Sequence, residues 1–411
     1  MSGTKPYSIS KEVVYQAYLM VKRNKGSYGV DEQSIQEFDK DWKSNLYRIW
    51  NRMSSGSYFP MAVKRVDIPK GDGKMRPLGI PTVSDRIAQA VVKMYIEPRL
   101  EKIFSNNSYG YRPTRSAIAA VGKARANCFS YEFVVDIDIK GFFDNIDHEL
   151  LMKAVNWHVS EKWILLYIER WLKAPVLLPN GETMASTKGT PQGGVISPLL
   201  ANLFLHYAMD VWLEKYHRGV PFERYADDAL LHFRSESHAK KVLEALDIRF
   251  KECKLELNRE KTKIVHCKVS QRQESGEPRS FSFLGYDFKP RGYKTKQGKY
   301  GCCYLPAIGK KAKKRFTEKL NSLNISRNTT RSIEEIANLL NPIIRGMMNY
   351  FGAYYKSELG KLYAQVDLKL KKWALNKYKK RSILRWLQNL YQTKRDLFEH
   401  WKYQKPTQFF G

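Results

Sequence analysis

The alternation of apolar and polar positions divides this chain into a mixed part followed by a helical part. Residues 11–23, KEVVYQAYLMVKR, place apolar groups at helical intervals, and NKGSYGVD then supplies a glycine stop and a loop. A second helix is predicted from about Ile35 to Met53. From Ala62 the period shortens: AVKRVDIPKGDGKMRPLGIP alternates, turns on Gly71-Asp72-Gly73 and alternates again, which predicts a hairpin. Helix resumes through DRIAQAVVKMYIEPRLEKIF, and the loop SNNSYGYRPTRS follows, with Ser116 placed to cap another helix. Three strand patterns come later, EFVVDIDI, ERYADDALLHF and SFSFLGYDF, and the apolar helical stretch ISPLLANLFLHYAMDVWLEKYH lies between the first two. Such interleaving predicts an α+β sheet domain. Beyond about residue 305 the strand patterns stop and helical runs rich in Lys and aromatics take over, so a boundary is expected near residues 290–310.

Length and composition add scale. The 411 residues allow two to four domains, and 43% hydrophobic content without a low-complexity tract describes an ordered globular protein. Charge is more discriminating. The formal net charge is +30, and residues 289–411 carry 28 basic against 7 acidic residues, leaving +9 for the first 288. An anionic polymer is the expected partner, and the last third is the expected grip.

Cys128, Cys253, Cys267, Cys302 and Cys303 have no C-x-x-C spacing and no histidine pair nearby, so neither structural zinc nor a disulfide framework is expected. The amino terminus has no apolar signal region, and no apolar run reaches the 18 or so residues of a membrane span. The expectation is a soluble protein of a reducing compartment, with no membrane partner.

Two acidic clusters stand out against this basic background. In VVDIDIKGFFD an apolar strand ends in acids. Period-2 geometry puts Asp136 and Asp138 on one face, and Ile139 can offer its carbonyl. In RYADDALLHF, Asp227 and Asp228 sit where a turn would join two apolar strands. Taken singly these are ordinary: an Asp-Asp pair suits a turn, and Asp144 before Asn145 suits a helix cap. Adjacent carboxylates in a low dielectric repel by several kcal/mol, and a cation between them is the simplest remedy. Hard oxygen ligands suit magnesium, and two such ions serve phosphoryl transfer from a nucleoside triphosphate.

The ordered motifs resemble the reverse transcriptase and maturase proteins encoded by bacterial group II introns. They are NKGSYGVD (Asn24 to Asp31), RVDIPKGDGKMRPLGIPTVSDRI (Arg65 to Ile87), SYGYRPTRS (Ser108 to Ser116), VVDIDIKGFFDNIDH (Val134 to His148), GTPQGGVISPLLANLFL (Gly189 to Leu205), RYADDALL (Arg224 to Leu231), LNREKTK (Leu257 to Lys263) and FSFLGYDF (Phe281 to Phe288). A ninth, LNPIIRGMMNYFG (Leu340 to Gly352), resembles the family's maturase-specific segment. The match runs from about residue 12 to 400. One departure is Glu32, which follows GVD where many relatives have glycine. No His-Asn-His nuclease with paired cysteines follows the helical part, so second-strand cleavage is not expected.

The resemblance implies that Asp138, Asp227 and Asp228 are the catalytic triad, holding two Mg2+ ions with the Ile139 backbone, and it separates Asp138 from Asp136. It implies dNTP contacts from Lys70 and Arg76 on the basic hairpin, Gln192 in the PQGG loop, Lys261, and Phe143 beneath the sugar, where no room is left for a 2′ hydroxyl. Tyr109, Arg112 and Arg115 are implied template contacts, and Lys313, Lys314, Arg315, Arg345, Lys371 and Lys372 are implied contacts of a helical thumb. The implied fold is a right-hand polymerase. Residues 1–85 form an N-terminal extension and fingers, 86–290 the fingers and palm core, 291–385 the helical thumb or maturase domain, and 386–411 a short basic stretch suited to DNA binding. The implied activity is RNA-directed DNA synthesis on a template and primer duplex. Maturase binding of group II intron RNA and a DNA target accompany it, in the bacterial cytoplasm. A splicing cofactor with incidental polymerase activity and a relative recruited to host repair or defence remain open at this point.

Overall fold

The computed structural model describes residues 5–69, 75–267, 280–294, 297–380 and 382–403. The described strands are β1 (Val63–Pro69), β2 (Met75–Ile80), β3 (Phe133–Ile137), β4 (Val176–Leu177), β5 (Thr183–Met184), β6 (Phe222–Tyr225), β7 (Asp228–Phe233), β8 (Lys263–His266), β9 (Phe281–Phe283), β10 (Tyr286–Lys294) and β11 (Tyr300–Ile308). With the helices between them they make an α+β fold. The chain forms two compact units, residues 1–116 with 135–263, and residues 117–134 with 264–411.

In the first unit the helix Lys11–Asn24 ends on Lys25, which takes the left-handed conformation. The single helix expected over residues 35–53 is two, Ile35–Lys40 and Trp42–Ser55, because Asp41 leaves helical geometry at φ −131°. Ser34 and Glu37 close a capping box on the first of them. β1 and β2 pair antiparallel from Lys64↔Ile80 to Pro69↔Met75. The expected turn at Gly71-Asp72-Gly73 lies outside the described residues. β4 adds to β1 in parallel, giving the order β2-β1-β4-β5.

The helix Val83–Leu100, capped by Thr82 on the Asp85 N–H, buries Ile87, Val91 and Ile96 completely. Each such side chain contributes about 1.5 to 3 kcal/mol of burial. A second sheet places β6, β7 and β3 side by side. The stretch expected as one helix over residues 196–217 runs as Ser197–Leu205, a π-helical turn His206–Asp210, and Val211–Tyr216.

In the second unit the SFSFLGYDF pattern is a hairpin, because Leu284 and Gly285 both take positive φ and reverse the chain between β9 and β10. β11 completes this sheet in the order β11-β10-β9; the β10–β11 hairpin occupies the stretch where a boundary is expected, whereas the longer segment of the second unit already begins at Ile264. Four helices follow, Lys310–Ser322, Ile333–Phe351, Gly360–Tyr378 and Ile383–Thr393, around a core that includes Leu340, Ile344, Leu370, Trp373 and Leu387. Asp367 accepts hydrogen bonds from His400 Nε2 at 2.8 Å and Trp401 Nε1 at 3.1 Å, which ties the residues after the last helix to that core. Among the described residues no helix is long and apolar enough to cross a membrane.

Candidate active site

The first unit brings the two acidic clusters of the sequence to one end of one sheet. β6 and β7 pair antiparallel with Tyr225 opposite Asp228, so Ala226 and Asp227 form the tip of a two-residue hairpin. Ala226 turns the chain at φ +57°, a left-handed conformation that costs a side-chain-bearing residue about 1 to 2 kcal/mol. Asp138 follows the last residue of β3, the neighbour of β7.

Asp138 is held by its backbone: its carbonyl accepts the Asn258 N–H at 2.8 Å, and the Lys140 N–H donates to Glu256 O at 2.9 Å. These two bonds close the bridge Ile139↔Leu257 without consuming the Ile139 carbonyl. The Asp138 carboxylate meets the Lys261 ammonium at 3.1 Å.

The electrostatics of the group follow from this crowding. Solvent reaches Asp228, yet desolvation by the surrounding protein, with Asp227 and Asp138 close by, pushes its carboxyl up to about 6. Asp227 is raised by desolvation and by Asp138, against the opposing pull of Arg76 and Lys261. Asp136, on β3, is pushed up to about 7 by desolvation, then by Asp228 and Asp138.

Among the described residues no three His, Cys, Asp or Glu side chains converge on one point as a closed metal site. The donor set nevertheless suits hard cations. It consists of clustered carboxylates, of which Asp138 raises the proton affinity of both Asp227 and Asp228, with the Lys261 ammonium set against Asp138.

Around the acids, the PQGG loop is fixed from two sides. Gly193 stands at φ +139° so close to β2 that a Cβ there would meet Gly79 O at 2.4 Å, and the Gly79 N–H donates to Gln192 O at 3.1 Å. The Gln192 side chain accepts from Arg76 Nε at 2.8 Å and donates to Asp144 Oδ1 at 3.3 Å. Gln89, a polar residue in an apolar helical stretch and outside the motifs, accepts the Val195 N–H at 2.8 Å and holds the far end of this loop. Phe143 is 8% exposed, edge-on to Phe142, and its carbonyl accepts the Thr190 N–H. Lys70 lies outside the described residues.

The SYGYRPTRS loop lies along β6. The Tyr109 N–H donates to Arg224 O at 2.8 Å, and a Cβ on Gly110 would stand 2.4 Å from Ala226 N. Only glycine permits that approach. Arg112 is a correction to the expectation of a template contact. It is buried, and its guanidinium is spent on Glu101 and on the carbonyls of Ser105 and Ser108, so it builds the loop instead of facing outward. Tyr109 is buried too, beneath the guanidinium of Arg115, which also bonds Asn106.

In the second unit, Lys314, Arg315 and Lys372 are exposed, while Lys371 is half-buried. Lys313 pairs with Glu358, and Arg345 pairs with Glu399.

Asn202, Asp210 and Arg224, which no motif marks as functional, are all fully buried behind the acidic turn. The available signal was a lone acid inside an apolar helix and a lone base inside an apolar strand, which require each other as partners.

Residues 68–288 match the family described as reverse transcriptase (RNA-dependent DNA polymerase). Residues 313–394 match the group II intron, maturase-specific domain. The chain is 36% identical over 203 residues to the group II intron-encoded protein LtrA of Lactococcus lactis subsp. cremoris, an alignment covering 49% of this chain and 33% of that protein. It is 32% identical over 294 residues to protein YkfC of Escherichia coli (strain K12), covering 62% of this chain and 77% of that protein. With nuclear intron maturase 1, mitochondrial, of Arabidopsis thaliana it shares 30% identity over 93 residues, 23% of this chain and 13% of that protein. The match therefore spans about a third of the length of the Lactococcus relative.

Proposed function

The chain belongs to the reverse transcriptase (RNA-dependent DNA polymerase) family and carries a group II intron maturase-specific domain, and from that premise we propose that it copies RNA into DNA and binds group II intron RNA as a maturase. The observation that carries the polymerase reading is the gathering of Asp138, Asp227 and Asp228 at neighbouring strand ends, where desolvation and the nearby carboxylates raise the proton affinity of Asp227 and Asp228.

In this reading Asp138, Asp227 and Asp228, with the Ile139 carbonyl, would hold two magnesium ions. The ions supply activation of the primer 3′ hydroxyl and neutralisation of the triphosphate. The 3′ hydroxyl would lose its proton to solvent as its oxygen bonds to the α-phosphorus of a dNTP, and the bond from that phosphorus to the bridging oxygen would break, releasing pyrophosphate.

The chain's own groups position the reactants. Arg76, already oriented by Gln192, offers a guanidinium fork to the triphosphate. Lys261, 65% exposed at its side chain, is free to move from Asp138 toward the departing pyrophosphate. Phe143 closes the floor beneath the sugar and selects dNTPs, and Gln192, braced by Asp144, contacts the nascent base pair.

The domain assignment proposed with this function is an N-terminal extension and fingers (residues 1–85), a fingers and palm core (86–290), a maturase thumb (291–385) and a basic DNA-binding stretch (386–411). The exposed Lys314, Arg315 and Lys372 are proposed phosphate contacts of the thumb.

Primer extension on an RNA template with dNTPs and magnesium tests the reading, comparing the native chain with an Asp227→Ala, Asp228→Ala double variant. DNA product from the native chain alone supports the polymerase and its acids together. Tight RNA binding with no product from either protein replaces it with a splicing cofactor.

A further inference from the structure

Behind the acidic turn lies a polar assembly that the proposed chemistry does not use. Arg224 on β6 and Asp210 in the helical segment are each 0% exposed, and Asn202 is 1% exposed. The Arg224 guanidinium is fully committed: Nε and Nη2 donate to the two Asp210 carboxylate oxygens at 2.7 and 2.5 Å. Nη1 donates to Asn202 Oδ1 at 2.9 Å and to Ala226 O at 3.1 Å. Asn202 in turn donates to Gly110 O at 2.7 Å, on the loop that presses against Ala226 N.

A buried ion pair of this kind is a poor source of stability compared with apolar packing, so its geometry is what it contributes. Here the geometry ends on one atom, the carbonyl of the left-handed residue that immediately precedes Asp227 and Asp228.

The helix is distorted to make this possible. Residues eight apart on an uninterrupted α-helix are rotated by about 80°, which would turn Asn202 and Asp210 to different faces. The π turn His206–Asp210, in which the Val211 N–H donates to His206 O, takes up an extra residue and reduces that offset. Both side chains then reach the same guanidinium.

We propose that Arg224, clamped by Asp210 and Asn202, is a positioning residue that fixes the Ala226 turn and so sets the placement of Asp227 and Asp228 for the cations they bind. This rests on the polymerase reading above. It concerns groups that touch neither nucleotide nor primer, and it assigns a purpose to the π turn.

The test uses Mn2+ as a spectroscopically visible stand-in for magnesium. Binding is measured by the loss of the free-ion electron paramagnetic resonance signal, without nucleotide, for the native chain, Arg224→Lys, Asn202→Ala and the Asp227→Ala, Asp228→Ala pair. Melting temperature checks the fold, and the magnesium concentration for half-maximal primer extension is read alongside.

Asn202→Ala removes one ligand of the guanidinium and the tether to Gly110 without leaving a buried charge alone. It is expected to fold and to weaken Mn2+ binding about tenfold or more, as loss of an outer-sphere partner commonly does. The magnesium requirement should rise in parallel, while RNA binding stays constant. Arg224→Lys keeps the charge but cannot span three acceptors, and is expected to weaken binding further. If Arg224→Lys does not fold, Asn202→Ala decides.

Folded variants whose Mn2+ affinity and magnesium requirement stay within twofold of an active native chain overturn the positioning role alone. A native chain that neither binds Mn2+ through Asp227 and Asp228 nor extends a primer overturns the polymerase reading, and this inference with it.

Discussion

The Lys261 ammonium stands 3.1 Å from the Asp138 carboxylate, joining two residues that are far apart in sequence but sit on facing backbone segments beside the acidic turn. The lysine is mostly solvated, so the pair contributes less than about 1 kcal/mol to stability. In the proposed reaction its role is toward the leaving group. Lys261→Met is expected to leave the melting temperature within a degree or two while lowering kcat about 100-fold, the effect of losing a proton donor to the leaving group. Single-turnover extension separates this from binding; loss of Mn2+ affinity in the same variant would show that Lys261 supports the acids and not the leaving group.

Arg76 donates to Gln192, and Gln192 to Asp144, in one chain of contacts across the proposed nucleotide site. Arg76→Ala is expected to raise the dNTP KM about tenfold or more, from loss of a charge-assisted bond worth about 1.5 to 3 kcal/mol. Arg76→Lys should recover only part, since an ammonium lacks the fork. Steady-state kinetics at saturating primer checks both, and an unchanged KM in Arg76→Ala removes the residue from the site.

Phe143 is buried against Phe142, so its truncation has a stability cost as well as a catalytic one. Phe143→Val should lower the melting temperature modestly and raise the ratio of rNTP to dNTP kcat/KM at least tenfold. Competition between the two nucleotides on one template measures that ratio. A ratio that does not move assigns Phe143 to the core alone.

His206, 5% exposed on the π turn, has its pKa lowered to about 4, mainly by desolvation and then by Arg224, His158 and Arg112 against the opposing charge of Asp210. The folded protein therefore holds this ring neutral, whereas the unfolded chain protonates it at its ordinary value near 6.5. The stabilising difference is whole above pH 6.5, declines as pH falls toward 4, and amounts to about 3 kcal/mol across that window. His206→Gln should flatten the fall in urea stability between pH 6.5 and 4. An equally steep fall in the variant moves the effect to other groups.

The sequence by itself determined the mixed first part, the arms of the basic hairpin, the helical carboxyl-terminal part and the acids at strand ends, but not the strands β4, β5, β8 and β11. These rest on local information: period-2 and period-3.6 patterning, turn residues and charge sums are properties of short segments. The motif order was enough to identify the family.

Other features were decided only by the tertiary structure. The break at Asp41 and the reversal at Leu284-Gly285 use residues that local sequence allows, an N-cap aspartate and a turn glycine, but continuous apolar patterning on both sides masked them. The burial of Arg112 could not be read from a loop full of basic and aromatic residues. A guanidinium is equally suited to a phosphate and to the carbonyls of its own loop, and only the folded path puts Glu101, Ser105 and Ser108 within its reach. The Asp210–Arg224 pair and the π turn that delivers it have the same origin. A charge within an apolar segment requires a partner once it is buried, but which partner, and what that bond holds in place, is set by long-range contacts that no window of sequence contains.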